Sequence, residues 1–108
     1  MITLNDIKDA KKRLDGTVYK TPLMKAPFLS IEKNAEIFFK EDNLQLTGSF
    51  KLRGAFNKVA MLDDVKKAAG VVAASAGNHA QGLAFAASYF KCEATIFMPE
   101  ATPLTKVL

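Results

Sequence analysis

A chain of 108 residues, 49% hydrophobic and 24% charged, has the size and balance of one small globular unit. Its net charge of +4 comes from 15 basic and 11 acidic side chains spread along the sequence, with only short pairs such as Lys11-Lys12 and Lys66-Lys67. This is unlike the clustered patch of a nucleic-acid binder, so no nucleic-acid partner is expected. The single cysteine, Cys92, excludes an internal disulfide, and no Cys/His spacing suits a metal. No apolar run reaches the ~20 residues of a membrane span. The start Met1-Ile2-Thr3-Leu4 has neither the basic region nor the apolar core of a signal peptide, which predicts a cytoplasmic protein with no membrane partner.

The first predicted element is a helix in which Leu4, Ile7, Ala10 and Leu14 recur at helical spacing. Thr3 caps it, with Asp6 three residues on, and Asp15-Gly16 stops it. Thr17 to Leu29 holds Pro22 and Pro27 without any period and predicts extended chain and loop. Glu36 to Lys40 reads as a short strand. Leu46-Thr47-Gly48-Ser49 breaks the pattern. A helix is predicted from there on Phe50, Leu52, Phe56, Val59, Ala60 and Leu62, with Ser49 as its N-cap. Asp63 and Asp64 open a shorter helical turn. Gly70 to Ala74 has the continuous apolar character of a buried parallel strand, Ser75 to Asn78 is a turn, His79 to Phe90 a helix, and Ala94 to Met98 a second buried strand. Thr102-Pro103 reads as the start of a further helix, running to Leu108 with no stop signal. The alternation after Ser49 predicts an α/β fold, a parallel sheet flanked by helices. Two parallel strands cannot bury both faces of a sheet, so the expectation is an incomplete portion of such a fold in a chain cut short.

Two segments could carry chemistry. In Thr47-Gly48-Ser49-Phe50-Lys51-Leu52-Arg53-Gly54-Ala55, the lysine falls in the first turn of a helix, where the positive end of the helix dipole disfavours a second positive charge. Partial burial among Phe50, Leu52 and Phe56 would further favour the neutral amine, the form that attacks a carbonyl cofactor. The alternative is a surface lysine whose stem covers apolar neighbours. The second segment, Ser75-Ala76-Gly77-Asn78-His79-Ala80-Gln81-Gly82, joins a strand to a helix, where open α/β sheets bind ligands. Backbone N–H groups at the helix start suit a carboxylate or phosphate, and Gly77 lets the backbone come close to it. Asn78 offers both a donor and an acceptor. His79, the only histidine, has no evident acidic partner and reads as structural or as a minor ligand contact. The alternative is an ordinary capped turn. The segment is not a Walker loop, since Leu83 rather than lysine follows Gly82, and it lacks the dinucleotide glycine spacing.

Together the two segments carry a resemblance. The run from Asp42 to Ala55, ending Thr-Gly-Ser-Phe-Lys-Leu-Arg-Gly-Ala, resembles the cofactor-lysine signature of the serine/threonine dehydratases. These belong to the tryptophan-synthase-β-like group (fold type II) of pyridoxal-phosphate enzymes. Ser-Ala-Gly-Asn-His-Ala-Gln-Gly at 75–82 resembles the substrate-carboxylate loop of the threonine dehydratases. Thr21-Pro22-Leu23, Phe39-Lys40-Glu41 and Met98-Pro99 also fall in the family's order.

The resemblance implies that Lys51 holds pyridoxal 5'-phosphate as an imine, is displaced by the substrate amine and then takes the α-proton. Phe50 would pack near the cofactor ring and Asn78 would hydrogen-bond its 3′-oxygen. Ser75, Gly77 and Asn78 would hold the substrate carboxylate, with His79 as a further contact. The implied reaction of the full-length protein is dehydration and deamination of L-threonine or L-serine to 2-oxobutanoate or pyruvate and ammonia. The alternatives are a serine racemase or serine dehydratase of the same group, or a non-catalytic remnant. Serine racemases carry a second serine where this chain has Ala76, which favours the dehydratase. By the family's layout, residues 1–47 form the N-terminal part of the large cofactor domain and residues 48–108 the first part of the small domain. The phosphate-binding loop would lie beyond position 108. The implied partners are a small amino-acid substrate and further copies of the full-length protein in a homo-oligomer. The 108 residues alone are expected to be inactive.

Overall fold

The computed structural model describes residues 1–103. Its elements are α1 (Leu4–Leu14), β1 (Leu23–Lys25), α2 (Pro27–Glu32), β2 (Phe38–Lys40), a 3-10 turn (Asp42–Leu44), α3 (Lys51–Ala60), α4 (Asp64–Ala69), β3 (Val71–Ala74), α5 (Asn78–Tyr89) and β4 (Ala94–Phe97). At the start of α1 the Asp6 N–H donates to the Thr3 hydroxyl, and the Asp6 carboxylate accepts from the Thr3 N–H at 2.7 Å. Both orphan donors are therefore satisfied reciprocally, the full form of the expected cap. Asp63 caps α4 through its side chain, which accepts from the Lys66 N–H at 2.8 Å.

β3 and β4 pair in parallel, Val71 opposite Ala94 and Ala73 opposite Ile96. α5 crosses between them and packs on α3. The core is the seam of these two helices: Leu52, Phe56 and Val59 from α3 meet Leu83 and Ala86 from α5. The Phe56 ring stands 4.9 Å from Tyr89 and 4.8 Å from Phe90, centroid to centroid, within the range of favourable aromatic pairs. Val71, Ala73 and Ile96 close the seam from the inner face of the parallel pair.

Several expectations need correction. The stretch 17–29 is extended over β1 as expected, but from Pro27 it is the start of α2. Pro27 sits at the first position of that helix, where its missing N–H has no intrahelical use. β1 and β2 pair antiparallel, Leu23 opposite Lys40, a second sheet that the sequence reading did not include. The parallel strands, read as buried from their continuous apolar runs, are covered on one face only, as a sheet of two strands must be. Burial alternates, with Val72 69% and Phe97 64% exposed on the outer face. Gly70 belongs to the end of α4 rather than to the strand, with φ +83°. Ser49 is not the cap of α3: Phe50 takes that position in a helical conformation without a side-chain cap, and the buried Ser49 hydroxyl has no hydrogen-bond partner among the described residues. The helix expected beyond Pro103 lies outside the described residues. Among the described residues no helix is long and apolar enough to cross a membrane, and no group of three or more His, Cys, Asp or Glu could hold a metal.

Candidate active site

Gly48, at φ +66°, makes the left-handed turn that brings the chain into α3, and Lys51 is the first residue of that helix. Its side chain is exposed, which corrects the expected burial: Leu52 and Phe56 face the core, while Phe50 is itself 62% exposed. The Lys51 amine lies 5.5 Å from the centre of the Phe50 ring, within cation–π range. Among the described residues it has no ion-pair partner.

Lys51, Phe50 and Gly54 open onto a groove of about 580 Å³ that is also lined by Lys58, His79 and Leu83. That volume lies within the usual range of small-molecule sites. His79 enters it from the first turn of α5. What brings the two helix starts together is Gly82. A Cβ there would stand 3.1 Å from the Leu52 nitrogen and 3.2 Å from the Lys51 carbonyl carbon, so any other residue would have to push the two backbones apart by a few tenths of an ångström. Asn78 lies four residues, or about 6 Å of helix axis, before that crossing.

The other expected site residues gather nearby but not in the same groove. Ser75 and Ala76 line a shallower depression with Phe97 and Met98 at the carboxyl ends of β3 and β4. Gly77 is the N-cap of α5, and its N–H donates to the Ser75 hydroxyl at 3.4 Å. The first intrahelical bond at this end runs from the Gln81 N–H to the Gly77 carbonyl, so the N–H groups of Asn78, His79 and Ala80 have no partner within the helix. A Cβ on Gly77 would meet nothing within 4 Å, so this turn opens on free space. Lys51, Phe50 and His79 therefore share one groove, Ser75 lines a separate depression, and Gly77-Asn78 join the two along the chain.

Two sets of residues at this site escaped the sequence reading. Gly82 was legible in principle, because a glycine inside a helical pattern marks close packing. The other set is Asp42 with Arg53, which lie in different elements, the 3-10 turn and α3, so no period within one element links them. The Arg53 guanidinium donates to both Asp42 carboxylate oxygens, at 2.8 and 2.9 Å. Arg53 holds the Asp42 carboxyl down at about 2, with help from the Thr21 hydroxyl and against the cost of burial. Asp42 in turn raises Arg53.

The donor set fits the aldehyde end of a pyridoxal cofactor. An uncompensated primary amine suits a carbonyl, an exposed ring beside it suits an aromatic face, and the start of α5 suits an anion. No described residue is assigned to the phosphate. Residues 14–108 match the pyridoxal-phosphate dependent enzyme family. The chain is 53% identical to an L-threonine ammonia-lyase of Thermotoga maritima, over 99% of this chain and 27% of that protein. It is 50% identical to a biosynthetic L-threonine dehydratase of Lactococcus lactis, over 99% of this chain and 26% of that protein. Its fold is similar to that of the serine racemase of Dictyostelium discoideum, with a TM-score of 0.90 at 40% identity, covering 98% of this chain and 35% of that one. The chain thus spans about a quarter to a third of the length of these relatives. A match over residues 14–108 takes in the groove, the lysine and the start of α5 together, and the chain belongs to the family of pyridoxal-phosphate dependent enzymes.

Proposed function

We propose that the full-length protein is an ammonia-lyase acting on L-threonine, and on L-serine as a smaller analogue, releasing 2-oxobutanoate or pyruvate and ammonia. The observation that carries this reading is the Lys51 amine at the first turn of α3, opening into a groove shared with the start of α5. The bound cofactor would draw electron density from the substrate α-carbon as that carbon loses its proton. The rest falls to this chain. Lys51 would hold the cofactor, and its Nζ would take the substrate's α-proton. It would be the group at hand to return that proton to the departing β-hydroxyl, which leaves as water. The N–H groups at the start of α5 and the Ser75 hydroxyl would hold the substrate carboxylate and fix the α-C–H bond toward Lys51. Asn78 would bond the cofactor's 3′-oxygen, Phe50 would pack near its ring, and His79 would line the carboxylate side.

Ala76 favours a lyase over a racemase. Racemisation needs a proton donor on the substrate face opposite Lys51, and an alanine side chain has no proton to give. Incubation of the full-length protein with L-threonine and L-serine, followed by 2-oxo-acid and chiral amino-acid analysis, tests this. The expected result is 2-oxo acid with ammonia, little D-serine, and a rise in D-serine in Ala76→Ser. D-serine as the main product of the unaltered protein would contradict it.

A further inference from the structure

α3 has a lysine at its first position and an arginine at its third, both unfavourable at the positive end of a helix, and it lacks a side-chain cap to fix its first turn. Something else must hold that turn. The Arg53 guanidinium makes four contacts: Nε to one Asp42 oxygen at 2.8 Å, and Nη2 to the other Asp42 oxygen at 2.9 Å, to the Tyr19 carbonyl at 3.1 Å and to the Thr21 hydroxyl at 3.3 Å. The Thr21 hydroxyl also donates to Asp42, and the Lys40 ammonium donates to the Thr21 carbonyl. Thr21 is 4% exposed, and so is Gln45, whose amide bonds Tyr19 at both ends, donating to its carbonyl at 3.0 Å and accepting from its N–H at 2.9 Å.

We propose that Asp42 and Arg53, with Thr21, form a positioning clamp that fixes the first turn of α3 and thereby aims the Lys51 amine into its groove. This rests on the reading of Lys51 as the cofactor lysine. The planar fork of arginine is essential to the clamp. It meets a carboxylate with two parallel bonds and still reaches two further acceptors, which a lysine ammonium cannot do in that geometry. Asp42 also supplies the negative charge that the helix start otherwise lacks. The clamp spans residue 47, the boundary expected between the two domains, so α3 is tied to the segments before it. Gly82 gives the second hold on the same turn, against the Lys51 carbonyl carbon.

The test uses the full-length protein loaded with pyridoxal phosphate, in Arg53→Lys, Asp42→Asn, Thr21→Val and the Asp42→Asn/Arg53→Lys double variant. Four quantities are read: kcat, KM, the circular dichroism of the bound cofactor and the melting temperature. Arg53→Lys should lower kcat about 10- to 100-fold with KM within about threefold, because a misaimed reacting group costs rate before it costs binding. The cofactor's dichroic band should weaken in parallel, and Thr21→Val should show a smaller change of the same kind. The double variant should be no worse than the worse single one, as expected of groups acting together. If Asp42→Asn does not fold, Arg53→Lys and Thr21→Val, which keep side-chain volume close, carry the test. Unchanged kcat and dichroism in both, with only the melting temperature lowered, would reduce the clamp to a structural tie and overturn the proposal. Borohydride trapping of the cofactor separates the two ideas. A pyridoxyl group on Lys51 together with that result sinks the clamp alone, whereas a pyridoxyl group on another lysine sinks the reading of the site and the clamp with it.

Discussion

The seam between α3 and α5 and the segment β1–α2–β2 are held together by opposite means. In the seam, Leu52, Phe56, Val59 and Ala86 are at most 1% exposed, and the contact is apolar throughout. In β1–α2–β2 no strand or helix residue is buried. Phe28 and Ile31 stand 89% and 82% exposed, and the order is polar. There the Ala26 N–H donates to the Ile37 carbonyl at 2.9 Å, and the Ser30 hydroxyl donates to the Ala26 carbonyl at 2.7 Å while accepting from the Ile37 N–H at 3.1 Å. The candidate site stands on the first kind of structure. The lysine proposed to meet the cofactor is carried by a helix whose inner face is fully packed. The looser segment lends the site Lys40, at the end of β2, and the residues that flank it, Thr21 and Asp42.

The largest expected effect lies in the seam. Phe56→Ala removes a ring that touches Tyr89 and Phe90, and should cost about 3–5 kcal/mol in denaturant unfolding. A loss under about 1 kcal/mol would mean that the seam is not the core. Gly82→Ala places a methyl group against backbone atoms that cannot swing aside, and should cost about 1–3 kcal/mol. It should also disturb cofactor binding, since the strain falls on Lys51. If the variant matches the parent in both stability and cofactor affinity, the two helix starts are not pinned at this crossing.

Acid should come next. Asp42 is held near 2 in the fold against an ordinary value of 3.8, so its contribution is complete above about pH 4 and fades as pH falls toward 2. Its side chain is 12% exposed, and the contribution is on the order of 1–2 kcal/mol. The stability difference between the parent and Asp42→Asn should narrow over that interval, and a constant difference would show that the carboxylate's charge is not what matters. Phe28→Ser should change stability by at most about 0.5 kcal/mol. A loss above about 1 kcal/mol would show that Phe28 is covered by something outside the described residues, and the contrast between the two regions would then belong to this chain alone.

What the sequence disclosed follows the same division. Of the seam helices, α3 was legible because its apolar residues repeat at helical spacing and α5 from its run of small residues between a turn and a strand, and α1 because its cap is written in Thr3 and Asp6. The two motifs around Lys51 and Asn78 were legible as runs of adjacent residues. The segment 17–29 was not, since three-residue strands leave no period to read, and Pro27 signals a helix start and a loop equally well. Ser49 was misplaced because a serine before a helix is the usual cap, whereas here Phe50 continues the helical backbone and turns the hydroxyl into a buried, unpaired group. The exposure of Lys51 follows from the helix phase. Leu52 and Phe56 share the inner face, and Lys51, with Gly54 and Lys58 at three and seven residues on, shares the groove. The pairing of Asp42 with Arg53 depends on how the 3-10 turn folds back on α3, which no local pattern records.

The central claim is that Lys51 is the residue that carries the cofactor. Reduction of the pyridoxal-phosphate-loaded full-length protein with borohydride, followed by digestion and mass spectrometry, tests it most directly. The account expects one pyridoxyl modification, on the peptide containing Ser49-Phe50-Lys51, and none in Lys51→Ala. A modification at Lys40, Lys58 or any other lysine, with Lys51 left unmodified, would contradict it.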